Sequence, residues 1–94
     1  MSATTLAEVR AAFTRTIRAA EAAGIDASRW TLQEGSRTYG RAWRIFSRTE
    51  GHGLATIPGV SDFLGTTRRE AALSLRGMTA GLDAARSARV AVIR

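Results

Sequence analysis

The sequence predicts an α+β fold of the order α-β-β-(β)-α, with two helices packed on one face of a small antiparallel sheet. Two segments of helical apolar spacing lie towards the two ends of the chain. Between them run short alternating segments, which are separated by glycine-rich turns and are typical of strands. The 94 residues suffice for one small domain, which we expect to span 1–94 with a core of about 5–88.

The first helix is predicted to begin at Thr5, because Thr5 and Glu8 have the Thr-x-x-Glu spacing of a capping box. An apolar stripe at intervals of three and four residues follows: Leu6, Val9, Phe13, Ile17 and Ala20. Gly24 has the residue type that ends a helix in the left-handed conformation.

Three segments are strand candidates: Trp30–Glu34, Arg41–Arg48 and a shorter Leu54–Ile57, which Pro58 ends because proline cannot donate to a ladder. The central candidate alternates. Trp43 and Ile45 point one way and Arg44, Phe46 and Arg48 the other, so we expect the tryptophan side to face the helices.

The second helix is predicted to run from about Arg68 to at least Ala85. Thr67 and Glu70 have capping-box spacing, and Gly65 allows the chain to enter the helix sharply. Residues 86–94 are either a helical extension or a loose tail.

The apolar stripe predicted for this helix consists of Ala71, Leu75, Met78, Leu82 and Ala85. A row of small residues lies beside it: Ser74, Gly77, Gly81 and Ala88. Each of the two glycines costs about 1 kcal/mol against alanine. Close approach of another helix would offset that cost, with the first helix as the simplest partner and a homodimer as the alternative. Leu73 falls off the apolar stripe and could mark a protein contact.

Enzymatic chemistry has little support in the sequence. The absence of cysteine excludes disulfides, thiol catalysis and cysteine-ligated zinc. His52 is the single histidine and has no histidine or cysteine companion as a metal ligand, and the carboxylates are scattered among arginines. We therefore expect no enzyme activity, no metal and no cofactor.

The net charge of +6 favours a nucleic-acid partner. All fourteen basic residues are arginine, which a GC-rich genome would explain, but genome bias does not explain why basic residues outnumber acidic ones. Charged residues interrupt Leu6–Ala23, so neither a signal peptide nor a membrane span is expected, and a cytoplasmic site is the default.

Arg68 and Arg69 are the first candidate contacts. They occupy the first helical turn, where free amides and the helix dipole already favour an anion. A phosphate partner would resolve the mild conflict between these cations and the dipole. The alternative is that Glu70 and Asp62 neutralise both arginines.

The outward face of the sheet is the second candidate. It carries Arg44, Phe46 and Arg48, and further candidate contacts flank or occupy the same strand: Arg37, Tyr39 and Arg41. Arginine and aromatic side chains on an open sheet can stack bases or grip a nucleic-acid backbone. The alternatives are that this sheet face is solvated or that a second copy of the chain covers it.

The run Thr67-Arg-Arg-Glu-Ala-Ala72 resembles the basic start of the last helix in the double-stranded RNA-binding domain, although Ala72 replaces that family's last basic residue. The run is also similar to the arm-type DNA-binding domain of phage integrases. The resemblance to the double-stranded RNA-binding domain implies phosphate contacts by Arg68 and Arg69.

Two longer stretches, Trp30–Gly40 and Ser61–Ala71, are similar to small uncharacterised proteins of actinobacterial phages. That resemblance implies a phage product in a bacterial cytoplasm and supplies no activity.

The leading hypothesis is a non-enzymatic, sequence-tolerant nucleic-acid-binding module. The alternative is a protein-interaction module that binds a host bacterial protein or itself through Leu73, the small-residue row or the tail. A basic amphipathic helix on an anionic membrane surface is a third hypothesis.

Overall fold

The computed structural model describes residues 3–36, 40–51 and 53–93, and within these ranges two helices and four strands follow one another. The order is α1 (Leu6–Ala22), β1 (Trp30–Ser36), β2 (Gly40–Arg48), β3 (Leu54–Ala55), β4 (Phe63–Gly65) and α2 (Arg68–Ile93). The predicted α+β class, with both helices against a small antiparallel sheet, is confirmed.

Strand β2 is the centre of the sheet. Strand β1 pairs with one side of it, and β3 and β4 pair with different parts of its other side, all antiparallel. Strand β4 was not predicted, because a three-residue strand is too short to show an alternating pattern. Its pairing depends on tertiary contacts, with Gly65 opposite Trp43 and the Ile45 amide donating to the Asp62 carbonyl at 2.9 Å.

The helices cover the face of the sheet that carries Trp43, Ile45 and Leu32. The buried core contains these fully enclosed or nearly enclosed side chains: Val9, Ala12, Ala20, Ala27, Trp30, Trp43, Ile45, Ile57, Leu64, Ala71, Ala72 and Leu75. The predicted alternation along β2 is therefore confirmed, because Trp43 and Ile45 are buried while Arg48 on the other face is exposed.

Helix α1 begins and ends as its sequence predicts. The Thr5 hydroxyl accepts a hydrogen bond from the Glu8 amide, and the Glu8 carboxylate accepts one from the Thr5 amide. Past the other end, Gly24 has φ of +86°, and the Ile25 amide donates to the Ala20 carbonyl at 2.9 Å. These bonds satisfy backbone groups that a helix end leaves without partners.

The two helices meet at Thr16, which is fully buried. Its hydroxyl lies 3.0 Å from the Ala12 carbonyl oxygen of its own helix, 3.1 Å from the Leu75 carbonyl oxygen of α2 and 3.0 Å from the Thr79 hydroxyl. The neighbouring residues Ala12 and Ala19 are small, so the backbones of α1 and α2 can approach each other closely.

We predict that Thr16→Val lowers the free energy of unfolding by about 1 to 2 kcal/mol, since valine keeps the branched shape but loses the interhelical hydrogen bonds. Urea denaturation followed by circular dichroism measures the change. Thr14→Val is the matched control, because the exposed Thr14 bonds only the Arg10 carbonyl of its own helix. Equal effects of the two substitutions would contradict the role given to Thr16.

The predicted packing of the α2 glycines against α1 is wrong. Gly77 and Gly81 are exposed, and a Cβ added at either position would meet no atom within 4 Å. The α2 surface that meets α1 contains Leu75 and Thr79 instead.

Helices α1 and α2 run in the same direction. Leu6, at the start of α1, lines a cleft with Trp43, and Trp43 pairs with Gly65 just before α2. Ile25, past the end of α1, lines a groove with Leu82 of α2.

Helix α2 continues well beyond Leu82, and residues 83–88 are all exposed. Its end at Ile93 shows that residues 86–93 form a helical extension rather than a loose tail. In the described ranges, neither helix combines the length and apolarity needed to cross a bilayer.

Candidate nucleic-acid interface and apolar groove

The start of α2 presents Arg68 and Arg69 to solvent, directly after the turn that leaves β4. The Glu70 amide donates to the Thr67 hydroxyl at 3.1 Å, as the capping-box spacing predicts. The Glu70 carboxylate, however, accepts from the Thr66 amide at 3.2 Å and from the Thr66 hydroxyl at 3.4 Å, one residue earlier than in a capping box. The predicted cap is therefore half confirmed.

This cap changes how an anion could bind here. The Glu70 carboxylate already lies against the amino end of α2, where it interacts favourably with the helix dipole. The Glu70 amide already donates to Thr67, so the guanidinium groups of Arg68 and Arg69 would be the main contacts of a phosphate.

The two carboxylates expected to neutralise these arginines are engaged elsewhere. The Glu70 carboxylate accepts a hydrogen bond from the Thr66 amide. Asp62 forms an ion pair with Arg44, with 3.0 Å between the Arg44 Nη1 and Asp62 Oδ2 atoms. The ion pairs within the described part of the chain are Arg29–Glu50 and Arg44–Asp62. Arg68 and Arg69 therefore have no carboxylate partner among the described residues.

The outward sheet face carries Arg44, Phe46 and Arg48, as predicted, opposite Gln33 and Thr31 of β1. Arg44 is held in place, because besides its ion pair its guanidinium carbon lies 5.6 Å from the centre of the Phe63 ring. Such a contact is favourable through the ring quadrupole. Arg44 is consequently less available to a ligand than the sequence suggested.

Phe46 is half-buried and Arg48 is exposed. Arg48 pairs with Leu54, while Gly65, which leads to Arg68, pairs with Trp43 five residues away along β2. At about 3.4 Å per residue, that separation is roughly 17 Å. The structure does not bring Arg48 together with the arginine pair of α2. Arg37 and the side chain of Arg41 lie outside the described residues, as does His52.

An apolar groove of about 510 Å³ lies between α2 and the connections of the sheet. Its walls include Ile25, Phe63, Met78, Gly81 and Leu82, together with residues 57–61. Ile25 and Phe63 are 43% and 46% exposed and line the same groove, so they belong to one apolar surface instead of being scattered singly. The Ser74 hydroxyl donates to the Leu64 carbonyl and fastens α2 to β4 at the groove edge.

Sequence reasoning missed this groove because its walls come from three segments that are distant in the chain. The available signal was the position of Ile25 and Phe63, two large apolar residues in turn-rich segments. Of the predicted protein-contact residues, Ser74 and Gly81 line the groove, whereas the exposed Leu73 does not. Gly77 and Ala88 are exposed on α2.

Within the ranges that the structure describes, no group of three or more histidine, cysteine, aspartate or glutamate side chains could hold a metal ion. No protein-family model, curated protein or solved structure matches this chain.

Proposed function

We propose that this protein is a nucleic-acid-binding module that contacts phosphate groups through Arg68 and Arg69. One observation supports the proposal most directly: both guanidinium groups are exposed in the first turn of α2, while Glu70 and Asp62 are bound to other residues. Two cations at the positive end of a helix dipole are mildly unfavourable for the helix itself. A phosphate ligand removes that conflict.

The charge of the whole chain supports the same proposal. A net charge of +6 on 94 residues attracts polyanions over distances comparable to the Debye length, and phosphate neutralisation releases condensed counterions. Contacts of this kind carry no base information, so we propose sequence-tolerant binding. We further propose, from the resemblance to small phage proteins alone, that the nucleic acid is met in a bacterial cytoplasm.

The sheet face has a smaller part in this proposal than the sequence suggested. Arg48 is exposed and has no ion pair among the described residues, so it remains a candidate second contact. Arg44 would first have to leave Asp62 and the Phe63 ring. Phe46 offers only a half-buried ring for stacking.

The test is a binding titration of the purified protein against single- and double-stranded DNA and RNA, at low and at physiological salt. For the double variant Arg68→Ala, Arg69→Ala, we expect weaker binding and a salt dependence whose slope, in log affinity against log salt, is smaller by about two. The slope changes because each lost phosphate contact releases roughly one counterion fewer.

The matched control is Arg15→Ala with Arg18→Ala, which removes two exposed arginines from α1 and lowers the net charge by the same amount. Equal losses in both double variants would mean that binding follows total charge and that the start of α2 is not the site. Unchanged affinity and slope in the α2 variant would also refute the assignment.

A further inference from the structure

Strand β1 forms one edge of the sheet. Within the described part of the chain it pairs with β2 alone, so its other side has no partner. The regular part of this free edge runs from Trp30 to Glu34, because the register with β2 shifts beyond Glu34. It contains neither proline nor lysine, two residues that commonly keep a sheet edge from pairing with another chain.

The backbone groups that face the free side include the amides of Leu32 and Glu34. The Arg48 amide of β2 donates to the Arg29 carbonyl at 2.9 Å, just before β1 begins, so these two residues form a hydrogen-bonded pair of the antiparallel ladder. Hydrogen-bonded pairs alternate along such a ladder, so residues 31 and 33 bond to β2 while Leu32 and Glu34 direct their amides to the free side. Among the described residues, neither amide has a hydrogen-bond acceptor.

Helix α1 carries an apolar line above the same edge. Each residue turns an α-helix by about 100°, so Leu6, Phe13 and Ile17 lie on one line, about 80° round the helix from Thr16, which faces α2. All three side chains are only half-buried against the core, and so is Leu32 of β1. The core is therefore incompletely covered where β1 ends the sheet, and one more strand beside β1 would cover it.

A cleft of about 300 Å³ opens between α1 and β1 at this place. Four apolar and two charged residues line it: Leu6, Arg10, Phe13, Leu32, Glu34 and Trp43. In a strand added to the free edge, the residue opposite Leu32 points to the same face of the sheet as Leu32 does. Its side chain therefore enters the cleft, where an apolar group replaces water beside Leu6 and Phe13.

We propose that the free edge of β1 binds an extended segment of a partner protein as a further antiparallel strand. An extended backbone offers carbonyl and amide groups at the spacing that Leu32 and Glu34 present, which is how sheet edges capture peptides in general. The antiparallel direction continues that of the whole sheet. The inference is independent of the proposed nucleic-acid contact, which uses other residues.

The charge of Glu34 distinguishes a different partner from a second copy of this chain. Glu34 is exposed and pairs neither with Arg10 across the cleft nor with another described residue, so its carboxylate needs a cation from outside. Side chains directly opposite in a sheet are about 5 Å apart, where opposite charges attract. Strand β1 contains no basic residue, so a second copy that pairs through β1 leaves Glu34 without a counter-charge in every register. The partner segment carries a basic residue opposite Glu34 and an apolar residue two positions later, opposite Leu32.

The test uses an acetylated and amidated probe peptide, Thr-Lys-Thr-Leu-Thr-Val-Thr, whose antiparallel register places its lysine opposite Glu34 and its leucine opposite Leu32. Two-dimensional NMR of the full chain during a titration gives both the affinity and the place of binding. We expect saturable binding with a dissociation constant below about 1 mM and the largest resonance shifts at the Leu32 and Glu34 amides.

Two methylated probes separate strand addition from simple apolar contact. N-methylation of the probe leucine removes the donor to the Leu32 carbonyl and should weaken binding roughly tenfold or more. N-methylation of the threonine that follows is the matched control, because that amide points away from β1, and it should leave the affinity unchanged. Equal affinities of the two methylated probes would overturn the proposed strand addition.

The charge at position 34 is tested by exchange. Glu34→Lys should reverse the preference between the lysine probe and a probe with glutamate in its place, by up to about fivefold in each direction. An unchanged preference, an absence of saturable binding below about 1 mM or shifts confined to other segments would each overturn the inference. So would a wild-type dimer in sedimentation equilibrium that Glu34→Pro dissociates, because a second copy would then occupy the edge.

Discussion

Replacing Gly65 with alanine is expected to lower the free energy of unfolding by about 2 to 5 kcal/mol, the sum of backbone strain and overpacking. Gly65 has φ of +150°, and an added Cβ would overlap the Glu70 Cβ. It would also lie 3.2 Å from the backbone nitrogen of Ala71, which cannot move without shifting the first turn of α2. The melting temperature should fall by about 10 to 25 °C in a domain of this size.

Gly77→Ala is the matched control for Gly65→Ala. It makes the same chemical change in the same chain, but its Cβ meets no atom within 4 Å and its backbone is helical. We expect it to raise the free energy of unfolding by up to about 1 kcal/mol. Thermal and urea unfolding of both variants measure the contrast, and equal effects would mean that the turn before α2 is not constrained as described.

Leu75→Ala is expected to lower the free energy of unfolding by about 2 to 5 kcal/mol, the range for leucine deletion in a packed core. Leu75 is 0% exposed and lies where α2 meets α1, with its carbonyl oxygen 3.1 Å from the Thr16 hydroxyl. The loss combines the transfer free energy of the removed carbons with the cavity that rigid neighbours leave behind. For so small a domain, that loss is a large part of the total stability.

Leu73→Ala provides the comparison on the same helix. Leu73 is 52% exposed, so its removal should change the free energy of unfolding by at most about 0.5 kcal/mol. Chemical denaturation of the two leucine variants under identical conditions checks the ordering. If Leu73→Ala destabilised the protein as much as Leu75→Ala, the assignment of the buried face of α2 would be wrong.

The elements with strong local signals could be predicted from the sequence. Helix α1 was predicted from a 3.6-residue apolar period and a capping box, and its cap is confirmed bond by bond. The two faces of β2 were predicted from alternation alone. Strand β4 was not, because three residues around Leu64 carry no period, and they form a strand only where β2 offers unpaired backbone groups.

The candidate nucleic-acid site likewise has a part that the sequence predicted and a part that it did not. The position of Arg68 and Arg69 in the first turn of α2 followed from the spacing of Thr67 and Glu70. That they have no carboxylate partner among the described residues did not, because it depends on Asp62, just before β4, pairing with Arg44 of β2. The separation of Arg48 from this pair likewise depends on the register of the sheet.

Local patterns in the sequence predicted the fold class, the cap of α1 and the buried faces of α1 and β2. These properties depend on residues a few positions apart, where apolar period and hydrogen-bonding side chains act locally. The pairing of carboxylates with arginines, the exposure of Gly77 and Gly81, and the apolar groove beside α2 follow instead from how the elements pack together. Those outcomes depend on contacts between segments far apart in the chain, which no local pattern encodes.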